Sequence, residues 1–198
     1  RYRKKILYLK MENNIHKIRQ DCWDKTLDAI AYSYIYQLKI KSINFWLRIS
    51  KILGIIIPVF LGGVLTSTYN SPEYISMAIW ITSPFALGQL ILSTILTING
   101  ADENVLKYST KAAEYSVIET EFRQMARYPN SDEFEYLKKF EILIEREKGI
   151  SKANLEVTDK EKRIGMRFGL RELSRKCVGC NEIPLSMNTS NCDICGNF

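Results

Sequence analysis

The sequence predicts an all-α membrane protein whose centre is a hairpin of two transmembrane helices. Two charge-free stretches follow each other in the chain, one between Lys51 and Glu73 and one between Glu73 and Asp102. Each is close to or above the roughly 20 apolar residues that a membrane-spanning helix needs. Both flanks are rich in charge and carry apolar residues at helical spacing, which indicates long helical extensions on either side of the hairpin. A buried hairpin in a soluble helical protein is the alternative, and two adjacent uncharged runs of this length make it the weaker one.

The N-terminal flank predicts one long amphipathic helix. Apolar side chains recur at roughly helical spacing between Glu12 and Leu47, and no Pro or Gly interrupts them. The first spanning helix is expected to begin inside this stretch, near Phe45. Arg48 would then extend its guanidinium toward the lipid headgroups.

The distribution of positive charge predicts the orientation of the hairpin. The connecting stretch from Thr66 to Glu73 contains no Lys or Arg, whereas both flanks contain several. Because cytoplasmic loops carry the excess of Lys and Arg in membrane proteins, both termini are expected in the cytosol. The same bias explains the net charge of +6, although a phosphate-bearing partner would also suit a basic chain.

The second flank predicts three further helices. Their expected bounds are Asp102 to about Arg127, Asn130 to Lys148, and Thr158 to about Lys176. Pro129 ends the first, because proline disfavours helix in the residue before it. The two later helices open with the i, i+3 spacing of a capping box, at Asn130–Glu133 and Thr158–Glu161. Gly149 is the expected C-cap of the second.

The C-terminus carries the most specific motif of the chain. Cys177 and Cys180 form one CxxC pair, and Cys192 and Cys195 form another after a spacer of eleven residues. Each pair places two thiolates on one turn, and four thiolates at this spacing suit tetrahedral zinc. We expect these cysteines to bind a structural zinc ion, with redox pairs or an iron–sulfur cluster as alternatives. A small C-terminal zinc ribbon therefore completes the predicted fold, with metal binding supplying its folding free energy.

The chain thus divides into four predicted parts. They are a cytosolic amphipathic helical region (1–51), the transmembrane hairpin (52–101), a cytosolic helical region (102–176) and the zinc ribbon (177–198). None of them contains a P-loop, a GxSxG or HExxH motif, or a glycine-rich dinucleotide turn. His16 is the single histidine, and it has no evident catalytic partner in the sequence. We therefore do not expect an enzyme.

The second spanning helix carries a column of small and polar side chains. Thr82, Gln89, Ser93 and Thr97 fall within one arc at 100° per residue. Polar residues inside a membrane face a bundle interior or water, so one interpretation is an oligomeric pore lined by these four residues. The alternative is ordinary helix packing, in which small residues and hydroxyls are also enriched. Packing explains Gln89 less well than the others.

Arginine recurs at every fourth position of the last predicted helix. The four residues are Arg163, Arg167, Arg171 and Arg175. This spacing predicts four guanidinium groups along one side of the helix, and arginine matches phosphate geometry better than lysine does. One interpretation is a site for a phosphate-bearing ligand such as a nucleotide or an oligonucleotide, with Gly165 and Gly169 admitting a partner backbone. The alternatives are a solvated face paired with nearby glutamates and a contact with the membrane surface.

The arrangement as a whole resembles the SLATT family of prokaryotic two-helix effectors. The spacing of Cys177, Cys180, Cys192 and Cys195 is similar to the C-x2-C-x11-C-x2-C tail of mobilome-associated membrane proteins. The resemblance implies a multi-pass protein of the inner (cytoplasmic) membrane that acts in antiviral defence. It also implies a homo-oligomeric pore or channel, with a tetramer as the expected size, gated by a nucleotide signal.

The resemblance extends to Hailong-type systems, in which a SLATT effector is paired with a nucleotidyltransferase that makes a DNA oligomer. It therefore implies a nucleotide or oligonucleotide ligand made by a partner nucleotidyltransferase. The residues themselves also fit a different function. A membrane-anchored zinc-ribbon adaptor could tether protein or nucleic acid without forming a pore.

Overall fold

A computed structural model describes residues 2–67, 72–130, 132–152 and 157–198 of the chain. Within these ranges it contains five α-helices and no β-strand, which confirms the all-α prediction for the part of the chain described. The helices are α1 (Tyr2–Ser67), α2 (Pro72–Ile98), α3 (Ala101–Arg127), α4 (Glu133–Lys152) and α5 (Asp159–Glu172). The connection between α1 and α2, residues 68–71, lies outside the described residues, so the predicted orientation of the hairpin stays a prediction.

Helix α1 joins the predicted amphipathic helix and the first predicted span in one element of 66 residues. Its N-terminal two-thirds contain neither Gly nor Pro, so nothing in the backbone interrupts the helix there. It continues through Gly54 and Pro58, which an apolar helix accommodates when neighbouring groups satisfy the freed carbonyl.

The chain forms two compact units, and α1 contributes to both. One unit contains Arg1–Gln37 and Ser109–Phe198, and the other contains Leu38–Tyr108. The predicted hairpin of residues 52–101 lies within the second unit.

The core of the first unit is built by α1, α3 and α4. Aromatic rings contribute strongly, because Tyr115 of α3 stacks on Tyr32 and Tyr36 of α1 with ring centroids 5.1 and 6.0 Å apart. Phe122 of α3 and Tyr136 of α4 are also buried, and the Tyr136 hydroxyl donates a 2.8 Å hydrogen bond to a carbonyl of α3. Burying aromatic side chains of this size supplies much of the free energy that holds helices together. The helical periodicity in both flanks therefore marks the buried faces.

The ends of α4 differ from the sequence prediction. Asp132 caps the helix, since its carboxylate accepts hydrogen bonds from two backbone N–H groups of the first turn at 2.9 and 3.2 Å. The predicted capping box at Asn130–Glu133 is therefore wrong by two residues in the position of the cap. Gly149 lies inside the helix and is not a C-cap, because Ile150 beyond it is buried. The carbonyl of Ile150 accepts a 3.1 Å hydrogen bond from Lys111 of α3.

The second unit consists of the C-terminal part of α1, helix α2 and the start of α3. Stretches within Asn14–Phe60 and Ile79–Ile98 are long and apolar enough to cross a membrane, and 6% of the residues in each apolar window are buried. Large apolar side chains point outward, with Val59 exposed by 70% and Trp80 by 80%. The core helix of a soluble protein would instead bury one face of such a sequence.

Candidate metal centre

The four tail cysteines come together in one cluster. Their sulfur atoms all lie within 4.8 Å of one another. The Sγ atoms of Cys177 and Cys192 are 3.8 Å apart, and those of Cys180 and Cys195 are 3.9 Å apart. Four sulfurs at about 2.3 Å from a central zinc ion would be separated by about 3.8 Å in a regular tetrahedron. The cluster is therefore positioned to bind a metal ion such as zinc.

Two tight turns of backbone hold the sulfurs, and no strand accompanies them among residues 157–198. The Gly179 N–H donates a hydrogen bond to the Cys177 sulfur at 3.4 Å, and the Gly196 N–H donates one to the Cys192 carbonyl at 2.8 Å. A Cβ atom at Gly196 would overlap Ser190, so this position requires glycine for space. The tail is a pair of cysteine turns without the strands of a ribbon.

The electrostatic environment of the cysteines favours a bound cation. The backbone N–H groups of Cys195 and Ile194 lower the pKa of the Cys192 thiol to about 7. Burial raises the pKa of Cys195, so the buried thiolate needs a compensating positive charge. A bound divalent ion supplies such a charge and deprotonates coordinating thiols.

Helix α5 connects the metal cluster to the core of its unit. Its N-terminus has the predicted capping box: Thr158 Oγ1 accepts a 3.2 Å hydrogen bond from the Glu161 N–H, and the Glu161 carboxylate accepts a 2.8 Å bond from the Thr158 N–H. One face of α5 packs against the tail, where Leu170 lies with Cys177 and Cys195 in a small buried cluster.

The opposite end of α5 differs from the prediction. The helix ends at Glu172 because Ser174 adopts a left-handed conformation with φ of 50°. The Arg175 N–H then bonds the Leu170 carbonyl at 2.9 Å, and the Ser174 N–H bonds the Arg171 carbonyl at 3.1 Å. This pattern is a Schellman motif, which turns the chain away from the helix axis. Arg175 therefore lies after α5 and does not continue the row of arginines.

The two glycines of α5 allow it to approach α1 closely. A Cβ atom at Gly165 would lie 2.7 Å from the Ala31 carbonyl oxygen, and one at Gly169 would lie 3.1 Å from the Leu27 carbonyl oxygen. The close backbone approach expected at these positions is present, and the backbone that approaches belongs to α1 of the same chain.

Two of the four arginines bind the tail. Arg167 is buried and donates three hydrogen bonds, to the Ser186 carbonyl at 2.7 Å, the Cys195 carbonyl at 3.0 Å and the Ser190 hydroxyl at 3.2 Å. Arg163 donates a 2.8 Å bond to the Asn197 carbonyl. These hydrogen bonds hold the tail that carries the cysteine cluster against α5. Sequence reasoning missed this role because backbone carbonyls, which accept most of these bonds, leave no trace in residue identity.

The other two arginines have different surroundings. Arg171 is exposed, and its guanidinium lies 5.8 Å from the centre of the Phe168 ring. Arg175 pairs with Asp24 of α1 at 2.7 Å. The four residues do not form one continuous row, and phosphate binding by them stays a prediction.

The predicted pore-lining residues also differ from one another in environment. Thr82 is buried, Gln89 and Ser93 are half-buried, and Thr97 is exposed. The Gln89 amide nitrogen would lie 3.2 Å from a Cβ atom at Gly54, so this side chain packs over the glycine of α1. The Thr97 hydroxyl donates a 2.9 Å hydrogen bond to the Ser93 carbonyl, one turn earlier in α2. Whether these residues line a pore stays a prediction.

Comparison with known proteins identifies the family. The model of the family described as mobilome CxxCx(11)CxxC protein matches residues 19–198, which include α2 to α5, most of α1 and all four tail cysteines. No curated protein and no solved structure matches the chain. Since the match covers most of the sequence and both cysteine pairs, this chain belongs to the mobilome CxxCx(11)CxxC protein family.

Proposed function

We propose that this protein is a SLATT-type membrane effector of prokaryotic antiviral defence. In this proposal the chain oligomerises in the inner membrane and forms a pore or channel gated by a nucleotide or oligonucleotide. The observation that carries the proposal is the second unit, in which only 6% of each apolar window is buried and large apolar side chains such as Val59 and Trp80 are exposed. Lipid is the environment that accommodates such a surface. In this proposal both termini are in the cytosol, since the flanks of the hairpin carry Lys and Arg and its connection carries neither.

The surface of the hairpin supports an oligomer. Cβ atoms added at Gly62, Gly63 and Gly88 would contact nothing within 4 Å among the described residues. Small residues of this kind let helices from further copies approach closely in a membrane. A closed ring of identical chains is the commonest form of such an assembly, and we expect a tetramer.

The pore interpretation depends on α2. Two helices cannot enclose water alone, so conduction requires several copies of α2 around one axis. Gln89 packs over Gly54 in the single chain, yet it is half-exposed, and its amide would be costly to expose to lipid. An axial cavity would hydrate the exposed part of the side chain.

The metal cluster has a structural role in this proposal. All four cysteines would bind one zinc ion, which leaves no open coordination position for a substrate. The zinc would stabilise the C-terminus against α5, and a partner nucleotidyltransferase would make the nucleotide signal. The proposal therefore assigns no catalysis to the metal cluster.

A membrane-anchored adaptor is the second candidate, and one observation favours it. Arg163 and Arg167 bind the tail, which leaves fewer guanidinium groups for a ligand on α5. The tail meanwhile exposes the apolar side chains of Val178 and Leu185. An adaptor would use this surface to hold another protein and would not conduct ions.

Ion flux from liposomes containing the purified protein distinguishes the two candidates. We expect flux from the wild type that responds to nucleotide ligands, and less flux from Gln89→Leu with the oligomer intact. Thr94→Leu is the matched control, because Thr94 lies on α2 outside the polar column and bonds its own helix at 2.8 Å. Absence of flux under all conditions, together with altered assembly of Gln89→Leu, would favour the adaptor.

A further inference from the structure

An open pocket of about 420 Å³ lies within the first unit, between the N-terminal part of α1 and the residues that follow α5. The described residues that line it are His16, Arg19, Gln20, Trp23, Leu173 and Arg175. A volume in the range of 300–1,000 Å³ is typical of sites for small molecules and cofactors. None of these lining residues belongs to the metal cluster.

The lining has the chemistry of a site for an aromatic anion. Two guanidinium groups, one imidazole and the half-buried indole of Trp23 line the pocket, and no described lining residue is acidic. Guanidinium groups bind phosphate through paired N–H donors, and an indole offers a flat face on which a base can stack. The Gln20 carboxamide adds a neutral donor and a neutral acceptor, which could form hydrogen bonds with the edge of a base.

The donors of Arg175 and Arg19 are only partly used. The Arg175 Nη2 atom donates to Asp24 at 2.7 Å, but its Nη1 atom is buried and has no hydrogen-bond partner among the described residues. Arg19 uses its Nε atom to bond the Ala126 carbonyl at 2.8 Å, and its side chain is otherwise exposed. Buried donors normally have a partner, and an anion in this pocket would become the partner of the Arg175 Nη1 atom once the guanidinium rotates toward it.

The Schellman turn after α5 creates this arrangement. A helix continuing through Ser174 would carry Arg175 onward along its own axis. The left-handed residue instead turns Arg175 toward α1, where it meets Asp24 and the pocket. Arg175, predicted as the last arginine of the row on α5, therefore lines this pocket instead.

We infer that this pocket binds one nucleoside monophosphate unit, with the base on Trp23 and the phosphate between Arg19 and Arg175. The unit is either a free nucleotide or the end of an oligonucleotide, since both present the same chemistry. The inference deepens the proposed function by giving its nucleotide signal a binding site. Because Arg175 lies two residues before Cys177, occupancy of the pocket would also stabilise the start of the metal-binding tail.

Calorimetric titration of the detergent-solubilised full chain tests the site. The probes are each of the four common ribonucleoside 5′-monophosphates, the matching nucleosides, inorganic phosphate and a short single-stranded oligonucleotide with a 5′-phosphate. We expect the nucleotides to bind more tightly than phosphate or nucleoside alone, with affinity falling as salt rises. Tighter binding of the oligonucleotide would identify an oligonucleotide end as the source of the unit.

Two variants remove different parts of the pocket. Arg175→Gln and Trp23→Leu should each weaken nucleotide binding by about tenfold or more, as lost charged hydrogen bonds and lost stacking do elsewhere. Trp23→Leu leaves the pair with Asp24 intact, so it keeps the test valid if Arg175→Gln disturbs the fold. Arg146→Gln is the matched control, because it also breaks an exposed ion pair, to Glu121 at 2.9 Å, and does not line the pocket.

The outcomes separate this inference from the proposed function. A wild type that binds none of the probes, or pocket variants that bind as the wild type does, would overturn the inference even if the protein conducts ions. Loss of binding in Arg171→Gln but not in Arg175→Gln would move the site to α5 and overturn it as well. Nucleotide binding that depends on the pocket residues, without any ion flux, would support the binding site and contradict the pore proposal.

Discussion

The buried guanidinium of Arg167 provides the sharpest prediction about the C-terminal tail. Arg167→Gln removes a side chain that donates to the Ser186 and Cys195 carbonyls and to the Ser190 hydroxyl. The shorter amide cannot reach three acceptors spread over ten residues of the tail. The variant should therefore loosen the tail from α5 while leaving the helices of the core in place.

The size of the effect follows from the bonds that are lost. A hydrogen bond from a charged donor contributes about 1.5–3 kcal/mol, and a buried carbonyl left without a donor costs a further amount of similar order. Water and the new glutamine amide can replace some of the lost hydrogen bonds, so we expect the local free energy of opening to fall by about 3 kcal/mol. Amide exchange in the tail should then accelerate by roughly 100-fold, since each 1.4 kcal/mol is a factor of ten.

Hydrogen exchange measured by mass spectrometry on the full chain reports this opening directly. Peptides covering residues 177–198 should lose protection in Arg167→Gln, whereas peptides from α1 and α3 should not. Arg171→Gln is the control, because it removes the same charge one turn along α5 from an exposed side chain. Its contact with the Phe168 ring is worth about 1 kcal/mol or less at an exposed position.

The comparison separates a structural role for Arg167 from a general effect of charge. Equal protection of the tail in the wild type and in Arg167→Gln would refute the role of these hydrogen bonds. Equal loss of protection in both variants would indicate that charge on α5 matters more than the bonds to the tail.

Three further predictions concern the metal, the packing of α5 and the lone cysteine. Elemental analysis should find one zinc ion per wild-type chain and none in Cys177→Ser; a coloured iron cluster, or metal retained in the variant, would contradict the assignment. Gly165→Ala should lower the free energy of unfolding, because the added Cβ atom would lie 2.7 Å from a carbonyl of α1. Gly149→Ala in α4, where the added Cβ atom meets open space, should raise the free energy of unfolding by about 0.5–1 kcal/mol. Burial raises the pKa of Cys22 to about 11, so this thiol should resist alkylation at pH 8 and react faster as the pH rises toward 11; rapid labelling of the folded protein at pH 8 would show that the site is open.

Helical periodicity predicted the helices and their buried faces well. Apolar side chains were expected at helical spacing between Glu12 and Leu47, and several of them, including Ile18, Cys22 and Ile35, are buried. The periodicity works because one face of each helix must meet a neighbour, whichever neighbour that is. The capping box at Thr158 was also predictable, since both of its partners lie within one turn.

Helix ends depended on details that residue identity does not fix. Serine is a poor candidate for the left-handed position of a Schellman motif, yet Ser174 occupies it and ends α5 at Glu172. Gly149 had the residue type of a C-cap but lies within α4, because packing of the buried Ile150 outweighs a cost of about 1 kcal/mol for glycine in a helix.

The candidate sites also differ in how far the sequence alone could predict them. The cysteine cluster could be predicted because metal ligands need particular residue types at particular spacings, and the sulfurs are where that spacing implies. The contacts of Arg167 and the pocket beside Trp23 could not be predicted, because they join residues far apart in the chain. The partners of Arg167 are mostly main-chain atoms, and a pocket is a property of the folded surface.

Membrane insertion of the hairpin is the claim on which the account depends, and cysteine labelling in intact cells tests it most directly. A membrane-impermeant maleimide should modify a cysteine placed at Ser71, in the connection between α1 and α2, and should not modify one placed at Ser109 in α3. Native cysteines should add little background, because Cys22 is buried and the tail is expected to hold metal in the cytosol. Labelling at Ser71 alone is the result that the account predicts. Labelling at Ser109 alone, or recovery of the chain in the soluble fraction, would contradict it.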